Sequence, residues 1–118
     1  MAVLFYTTFS DEKIWKKEIK KRFKNIKIIS INDKKYFSKV EFAIVWDLPD
    51  QILKQLTNLK IIFSQGAGVD HILNLPSYNK TPIVRLQDPI MAERMANYVL
   101  SQVLNFQLYL SVYSKYQN

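Results

Sequence analysis

The chain contains no cysteine, and only two glycines, four prolines and one histidine among its 118 residues. Without cysteine the fold cannot rest on disulfides or thiolate-bound metal, and no thiol nucleophile is on offer. The single histidine, His71, excludes triads or metal sites built from two imidazoles; its expected role is that of an oriented surface or helix-start histidine. No apolar run approaches the roughly 20 residues needed to span a bilayer. The start, Met1-Ala2-Val3-Leu4-Phe5-Tyr6, lacks the basic segment of a signal peptide and reads directly as a strand, so a cytoplasmic location is expected. Hydrophobic residues make up 48% of the chain, which together with the scarcity of Gly and Pro excludes a disordered protein. One domain of ordinary size is the default at this length.

The net charge of +7 raises the question of nucleic acid. Its location argues against that. Residues 11–39 hold ten Lys and one Arg against four acids, which accounts for the whole excess. These lysines are spaced around Ile14, Trp15, Ile19 and Phe23, as on the wet face of an amphipathic helix, and no Arg or aromatic interleaving accompanies them. A solvated face is the reading adopted, with neither nucleic acid nor membrane as a partner.

Strand-like and helical patterns alternate along the chain. Residues 2–7 predict a first strand; Ser10 predicts an N-cap, with Asp11 and Glu12 in the first turn of a helix over 11–23. A β-branched strand over 26–31, a turn at Asn32-Asp33 and an apolar strand over 42–46 follow. Pro49 opens a short helix bearing Ile52, Leu53 and Leu56, then come strands over 59–64 and 83–86. Strands apolar on both faces, alternating with helices, predict an α/β fold: a doubly wound, five-stranded parallel sheet. From Ile90 the pattern becomes a single long helix to about Tyr116. Two apolar stripes run along it, one through Met91, Met95, Val99, Val103, Phe106, Leu110 and Tyr113, the other through Ala96, Leu100, Leu104, Leu108 and Val112. So wide an apolar face expects a partner on a second side, either another subunit or another domain, the alternative being a helix buried centrally within this chain.

Both glycines fall in one stretch, Gln65-Gly66-Ala67-Gly68-Val69, between the fourth strand and a short helical segment. Such a turn offers backbone N–H groups suited to a carboxylate or phosphate, or it is a tight turn with no ligand at all. In a doubly wound sheet, ligands sit beyond the carboxyl ends of the strands, where Trp46, Asp47, Gln65 and the backbone of residues 66–69 are expected to lie near one another. Gly66-Ala67-Gly68, with Asp88 about twenty residues on, mimics a dinucleotide fingerprint, but His71 stands at the third glycine position and Pro76 and Pro82 leave no room for the crossover helix. A phosphorylation receiver would need an acidic pair after the first strand and a Lys after the fifth; Tyr6-Thr7-Thr8 and Leu86-Gln87 stand there instead. For Arg85 and Arg94 a structural salt bridge to Asp88 or Glu93 is expected.

Taken together, Ala43-Ile44-Val45-Trp46, the segment 59–73 with Gly-Ala-Gly-Val-Asp, Val84-Arg85-Leu86-Gln87-Asp88 and Met95-Ala96-Asn97-Tyr98-Val99-Leu100-Ser101-Gln102-Val103-Leu104 resemble the D-isomer-specific 2-hydroxyacid dehydrogenases, above all the glyoxylate/hydroxypyruvate reductase A branch. The resemblance is loose before Phe42 and close from there to about Gln107. It implies a flavodoxin-like substrate-binding domain over residues 1–89 and an interdomain and dimer-forming helix over 90–118. It further implies that Ala67, Gly68 and Val69 hold a 2-oxoacid carboxylate by their backbone, that Trp46 lines the pocket, and that NADPH or NADH serves the full-length enzyme. The family's catalytic Arg, Glu and His and its dinucleotide glycines have no counterpart here. The chain is therefore expected to be a truncated N-terminal piece, with no catalytic residue, no cofactor site and no activity alone. The alternative is a non-catalytic module that dimerises or binds a partner through its apolar helix.

Overall fold

The computed structural model describes residues 1–117. Two compact units divide the chain, Met1–Gln87 and a second from Asp88 onward.

The first unit runs β1 (Ala2–Tyr6), α1 (Glu12–Arg22), β2 (Lys27–Ile29), a 3-10 helix (Lys34–Lys39), β3 (Val40–Val45), α2 (Asp50–Leu53), β4 (Ile61–Ser64), α3 (Asp70–Leu73) and β5 (Ile83–Arg85). Every strand pair is parallel, in the order β2-β1-β3-β4-β5, which is the flavodoxin-like order expected. Right-handed crossovers then put α1 on one face of the sheet and α2 and α3 on the other, because the chain moves outward in opposite directions from β1 and from β3.

The principal core lies on the α2 and α3 side. Leu4, Ala43, Val45 and Ile62 point there from the strands and pack with Phe37, Leu48, Leu53, Leu56 and Ile72, all buried. Full burial of each large side chain in this group contributes about 1.5–3 kcal/mol. On the other side Val3 and Phe5 are buried, and Phe5 stacks on Trp15 of α1 with ring centroids 6.2 Å apart. A helix about 10 Å wide covers roughly two strands spaced 4.8 Å apart. Phe42, Ile44 and Phe63 on β3 and β4 are accordingly only partly buried and line, with Ile19 and Phe23, an all-apolar cleft of about 290 Å³. No residue of α1 is buried, and Ile14 and Phe23 are more than half exposed. The amphipathic pattern of α1 thus exceeds what the sheet takes up.

Local chemistry shifts several expected boundaries. The N-cap of α1 is Asp11, whose Oδ1 accepts from the Lys13 N–H at 2.8 Å, while the Ser10 hydroxyl pairs with that of Thr7 at 3.3 Å. Asp caps as well as Ser, and the Ser10 hydroxyl is already engaged with Thr7. The 3-10 helix was not expected, since Lys34-Lys35-Tyr36-Phe37-Ser38-Lys39 has no apolar period beyond the one buried Phe37.

In the second unit, α4 (Pro89–Gln107) and α5 (Leu110–Lys115) replace the single helix expected to Tyr116. At 1.5 Å per residue α4 is about 28 Å long, against the roughly 40 Å of an unbroken helix. Tyr109 breaks the run by adopting a left-handed conformation, φ 51°. Neither Gly nor Pro marks the break. Residues 108–114 instead combine aromatic, β-branched and Ser positions of modest helix propensity, with no charge pair across the turn to offset the loss. Asp88, the mimic of a ribose-binding acid, is the N-cap of α4: its Oδ1 accepts from the N–H groups of Ile90 at 3.0 Å and Met91 at 3.3 Å, ahead of Pro89 at the first helical position. No residue of α4 or α5 is buried.

Candidate functional site

The carboxyl ends of β1, β3 and β4 are tied together just beyond the sheet. The Trp46 N–H donates to the Tyr6 carbonyl at 3.0 Å and the Gln65 N–H to the Val45 carbonyl at 3.1 Å, so each ladder runs one residue past its strand. Beyond β5, the Leu86 N–H reaches the Gly66 carbonyl at 3.3 Å. The glycine turn is thereby held between the loops after β3 and β5, as the topology requires.

Ser64, buried at the end of β4, braces the turn from beneath. Its hydroxyl lies 3.1 Å from the Gly66 carbonyl and 3.3 Å from that of Gly68, and accepts from the Gly66 N–H at 3.3 Å. The Gly66 amide is therefore in use. The next three amides, of Ala67, Gly68 and Val69, donate to no acceptor among the described residues. Ala67 and Gly68 are exposed and Val69 half-buried. Neither glycine has a positive φ, so backbone conformation does not explain them. Space explains one. A Cβ on Gly66 would run into the six-membered ring of Trp46, whereas one on Gly68 would meet nothing within 4 Å.

Two side chains pack on Trp46, one from the loop after β1 and one from α3. Phe9 meets it edge-on at 5.8 Å between centroids, and His71 lies against it at 4.5 Å with 52° between the ring planes. Asp47 follows in a left-handed conformation, φ 55°, which turns the chain sharply after β3. Of the expected site residues, Trp46 and Gly66 are brought into contact, Ala67, Gly68 and Val69 present unpaired amides, and the Gln65 side chain turns inward, its Nε2 donating to the Tyr6 carbonyl at 3.4 Å. Asp47 and Asp70 are both exposed near this end of the sheet. A cleft of about 620 Å³ opens beside Val69, lined also by Leu73, Tyr78, Ile83, Val84, Gln87 and Arg85, its one charged residue.

Among the described residues neither Arg85 nor Arg94 forms an ion pair within its own unit; the three pairs found there use Lys16, Lys21 and Lys60. The salt bridge expected of Arg94 with Asp88 or Glu93 is thus corrected, and Arg85 is placed at the cleft. Sequence reasoning also missed Ser64 and Phe9. Ser64 carried a signal, being the polar residue that closes the apolar run Ile61-Ile62-Phe63; Phe9 carried none. Among the described residues no cluster of His, Asp and Glu could hold a metal. The turn does not fit a dinucleotide either. α3 is a single turn of four residues with little dipole of its own, and the first glycine's amide and the space above it are both taken, by Ser64 and Trp46.

No protein-family model matches the chain. Individual relatives do. Over 116 residues and 90% of the chain it is 33% identical to glyoxylate/hydroxypyruvate reductase A of Yersinia enterocolitica, and at the same coverage 31% identical to that of Serratia proteamaculans. Among solved structures, a D-isomer-specific 2-hydroxyacid dehydrogenase from Xanthobacter autotrophicus, in complex with NADPH and MES, superposes on 98% of the chain with a TM-score of 0.76 at 26% identity. The chain is a relative of the D-isomer-specific 2-hydroxyacid dehydrogenases. A probable 2-hydroxyacid dehydrogenase from Rhizobium etli, in complex with NADP, HEPES and L(+)-tartaric acid, gives a TM-score of 0.75 at 27% identity over 99% of the chain. These dehydrogenase relatives are much longer: the chain spans about 36% of the reductases and 38–39% of the two solved chains.

Proposed function

We propose that the chain is the substrate-binding segment of an NAD(P)H-dependent 2-oxoacid reductase of the glyoxylate/hydroxypyruvate class, and that the amides of Ala67, Gly68 and Val69 hold the substrate carboxylate with Trp46 as a side wall. The observation that carries this reading is that the Ala67, Gly68 and Val69 amides are unpaired beside open space at Gly68, next to an amide already bonded to Ser64. A carboxylate has two acceptor oxygens and takes such donors in charge-assisted bonds, about twice as strong as neutral ones. Arg85, lining the cleft beside Val69, adds one positive charge on that side. The tartaric acid held by the Rhizobium etli neighbour is itself a 2-hydroxyacid.

In the whole enzyme a nicotinamide cofactor would supply hydride to C2 of the 2-oxoacid, in the cytoplasm. The residues of this chain would bind and orient the carboxylate end and exclude water on the Trp46 side. Nothing among them suits a proton donor to the carbonyl oxygen on C2, so the chain alone is expected to leave NADPH unoxidised in the presence of glyoxylate. Calorimetric titration with glyoxylate and hydroxypyruvate tests the site. Binding should be measurable, and Gly68→Pro, which removes the central amide, should abolish it with the circular dichroism unchanged. Equal binding by that variant, or NADPH oxidation by the chain alone, contradicts the reading.

Homodimerisation through residues 90–118 forms part of the same proposal; Asn118 itself lies outside the described residues. Met95, Val99, Leu100 and Val103 of α4 are each more than half exposed, in keeping with an interface. The same surface would serve a non-catalytic partner-binding module, the reading that stands if no 2-oxoacid binds. Sedimentation at high concentration should show a dimer that Val99→Asp dissolves.

A further inference from the structure

His71 has no part in the chemistry proposed above, yet it occupies the most constrained place beside the turn. Its ring packs on the Trp46 indole at 4.5 Å, and its buried Nε2 has no hydrogen-bond partner among the described residues. A buried imidazole nitrogen with nothing to bond is unfavourable, so what keeps the ring in place is the packing of its face and not a polar contact. That packing falls on a side chain with two other supports: Gly66 beneath, where the lack of a Cβ lets the indole come down onto the backbone, and Phe9 edge-on. Two of the three supports lie on the segment that carries the unpaired amides. Gly66 is one residue from the nearest of these amides and His71 two, about 4–7 Å of chain.

We propose that His71 is a positioning residue that holds the Trp46 indole down on Gly66, and so sets the width of the space over the Ala67, Gly68 and Val69 amides, confining the site to 2-oxoacids whose substituent on C2 is small. The proposal rests on the reading of this turn as a carboxylate site. On the Gly68 side the space is open, so the indole is the wall that limits a ligand seated on these amides. With the imidazole removed, Trp46 keeps Phe9 and Gly66 but loses its lateral stop. The wall can then swing toward the vacated volume and admit branched or aromatic 2-oxoacids.

The test uses the whole chain with Trp15→Phe, so that Trp46 is the one tryptophan left. Two quantities are read: the fluorescence anisotropy of Trp46, and the ratio of dissociation constants for phenylpyruvate and glyoxylate. His71→Ala should lower the anisotropy and reduce the preference for glyoxylate about tenfold, the size of discrimination that pocket shape commonly gives. His71→Phe keeps a flat ring without nitrogens and should restore both, which a general loss of folding would not. Should His71→Ala fail to fold, His71→Gln keeps bulk without the ring and should behave as the alanine variant does. An unchanged ratio or an unmoved Trp46 signal in the ringless variants overturns the positioning role, as does a folded His71→Phe that restores neither. Absence of glyoxylate binding by the parent chain overturns the carboxylate reading together with it; binding by the parent with an unchanged ratio in the variants overturns the role of His71 alone.

Discussion

The six-membered ring of Trp46 occupies the space that a side chain at residue 66 would need. That one relationship separates two glycines that look equivalent in the motif.

Gly66→Ala must displace an indole pinned by Phe9 and His71 and is expected to destabilise the fold by about 1–3 kcal/mol, the usual range for overpacking. The aromatic bands of the near-ultraviolet circular dichroism should change with it. Gly68→Ala meets open space at an ordinary φ and should be neutral or stabilising by up to about 1 kcal/mol, through a less flexible unfolded chain. Urea unfolding of the two variants side by side checks the contrast.

Ser64→Ala removes the hydroxyl that accepts from Gly66 and reaches two turn carbonyls. The loss of one buried hydrogen-bonding group should cost about 1–3 kcal/mol. Carboxylate binding should weaken as well, because the freed turn no longer presents its amides in one arrangement. Urea unfolding and calorimetry on the same sample separate the two effects.

Asp88→Ala leaves the first amides of α4 without their cap and should cost about 1 kcal/mol, while Asp88→Asn should cost little, since Asn caps as well as Asp. Far-ultraviolet circular dichroism during heating should show the helical signal of the alanine variant lost earlier than that of the asparagine variant.

Glu41 accepts a hydrogen bond from the Lys60 ammonium at 2.6 Å, and this bond, with the positive charge of Lys60, holds its carboxyl below the ordinary value of 4.5. A carboxyl whose pKa is lower folded than unfolded contributes stability above the unfolded value and loses it as pH falls through the folded one. Acidification from pH 6 to 3 should therefore lower the urea midpoint of the parent chain slightly more than that of Glu41→Gln. The two midpoints should converge at the acid end, and added salt should shrink the difference, because the pair is open to solvent.

The sheet was legible because a parallel strand covered on both faces must be apolar throughout, and Val3-Leu4-Phe5 and Ala43-Ile44-Val45 say so directly. Asp88 was legible as an acid in a special place and the residues around it argued against a ribose contact, but its work as a helix cap is visible only in the backbone. Two features lay outside what a one-dimensional pattern holds. The break at Tyr109 comes from many small propensities summing against helix continuation, with no single punctuating residue. The seat of Trp46 on Gly66 joins residues from different strands, and it depends on where an indole rotamer falls once Phe9 and His71 are packed around it. The motif Gly-Ala-Gly named the turn, but it could not say that one glycine serves a neighbour's bulk while the other leaves room for a guest.

Strand order leaves β2 and β5 on the outside of the sheet, and each is three residues long. Lys27 opens the first and Arg85 closes the second, both exposed. Rows this short and this charged offer an incoming strand too little backbone to pair with and a positive charge to bury. Growth by strand addition, the route toward fibrils for many exposed sheets, is thereby blocked at both margins, and association is left to helical surfaces.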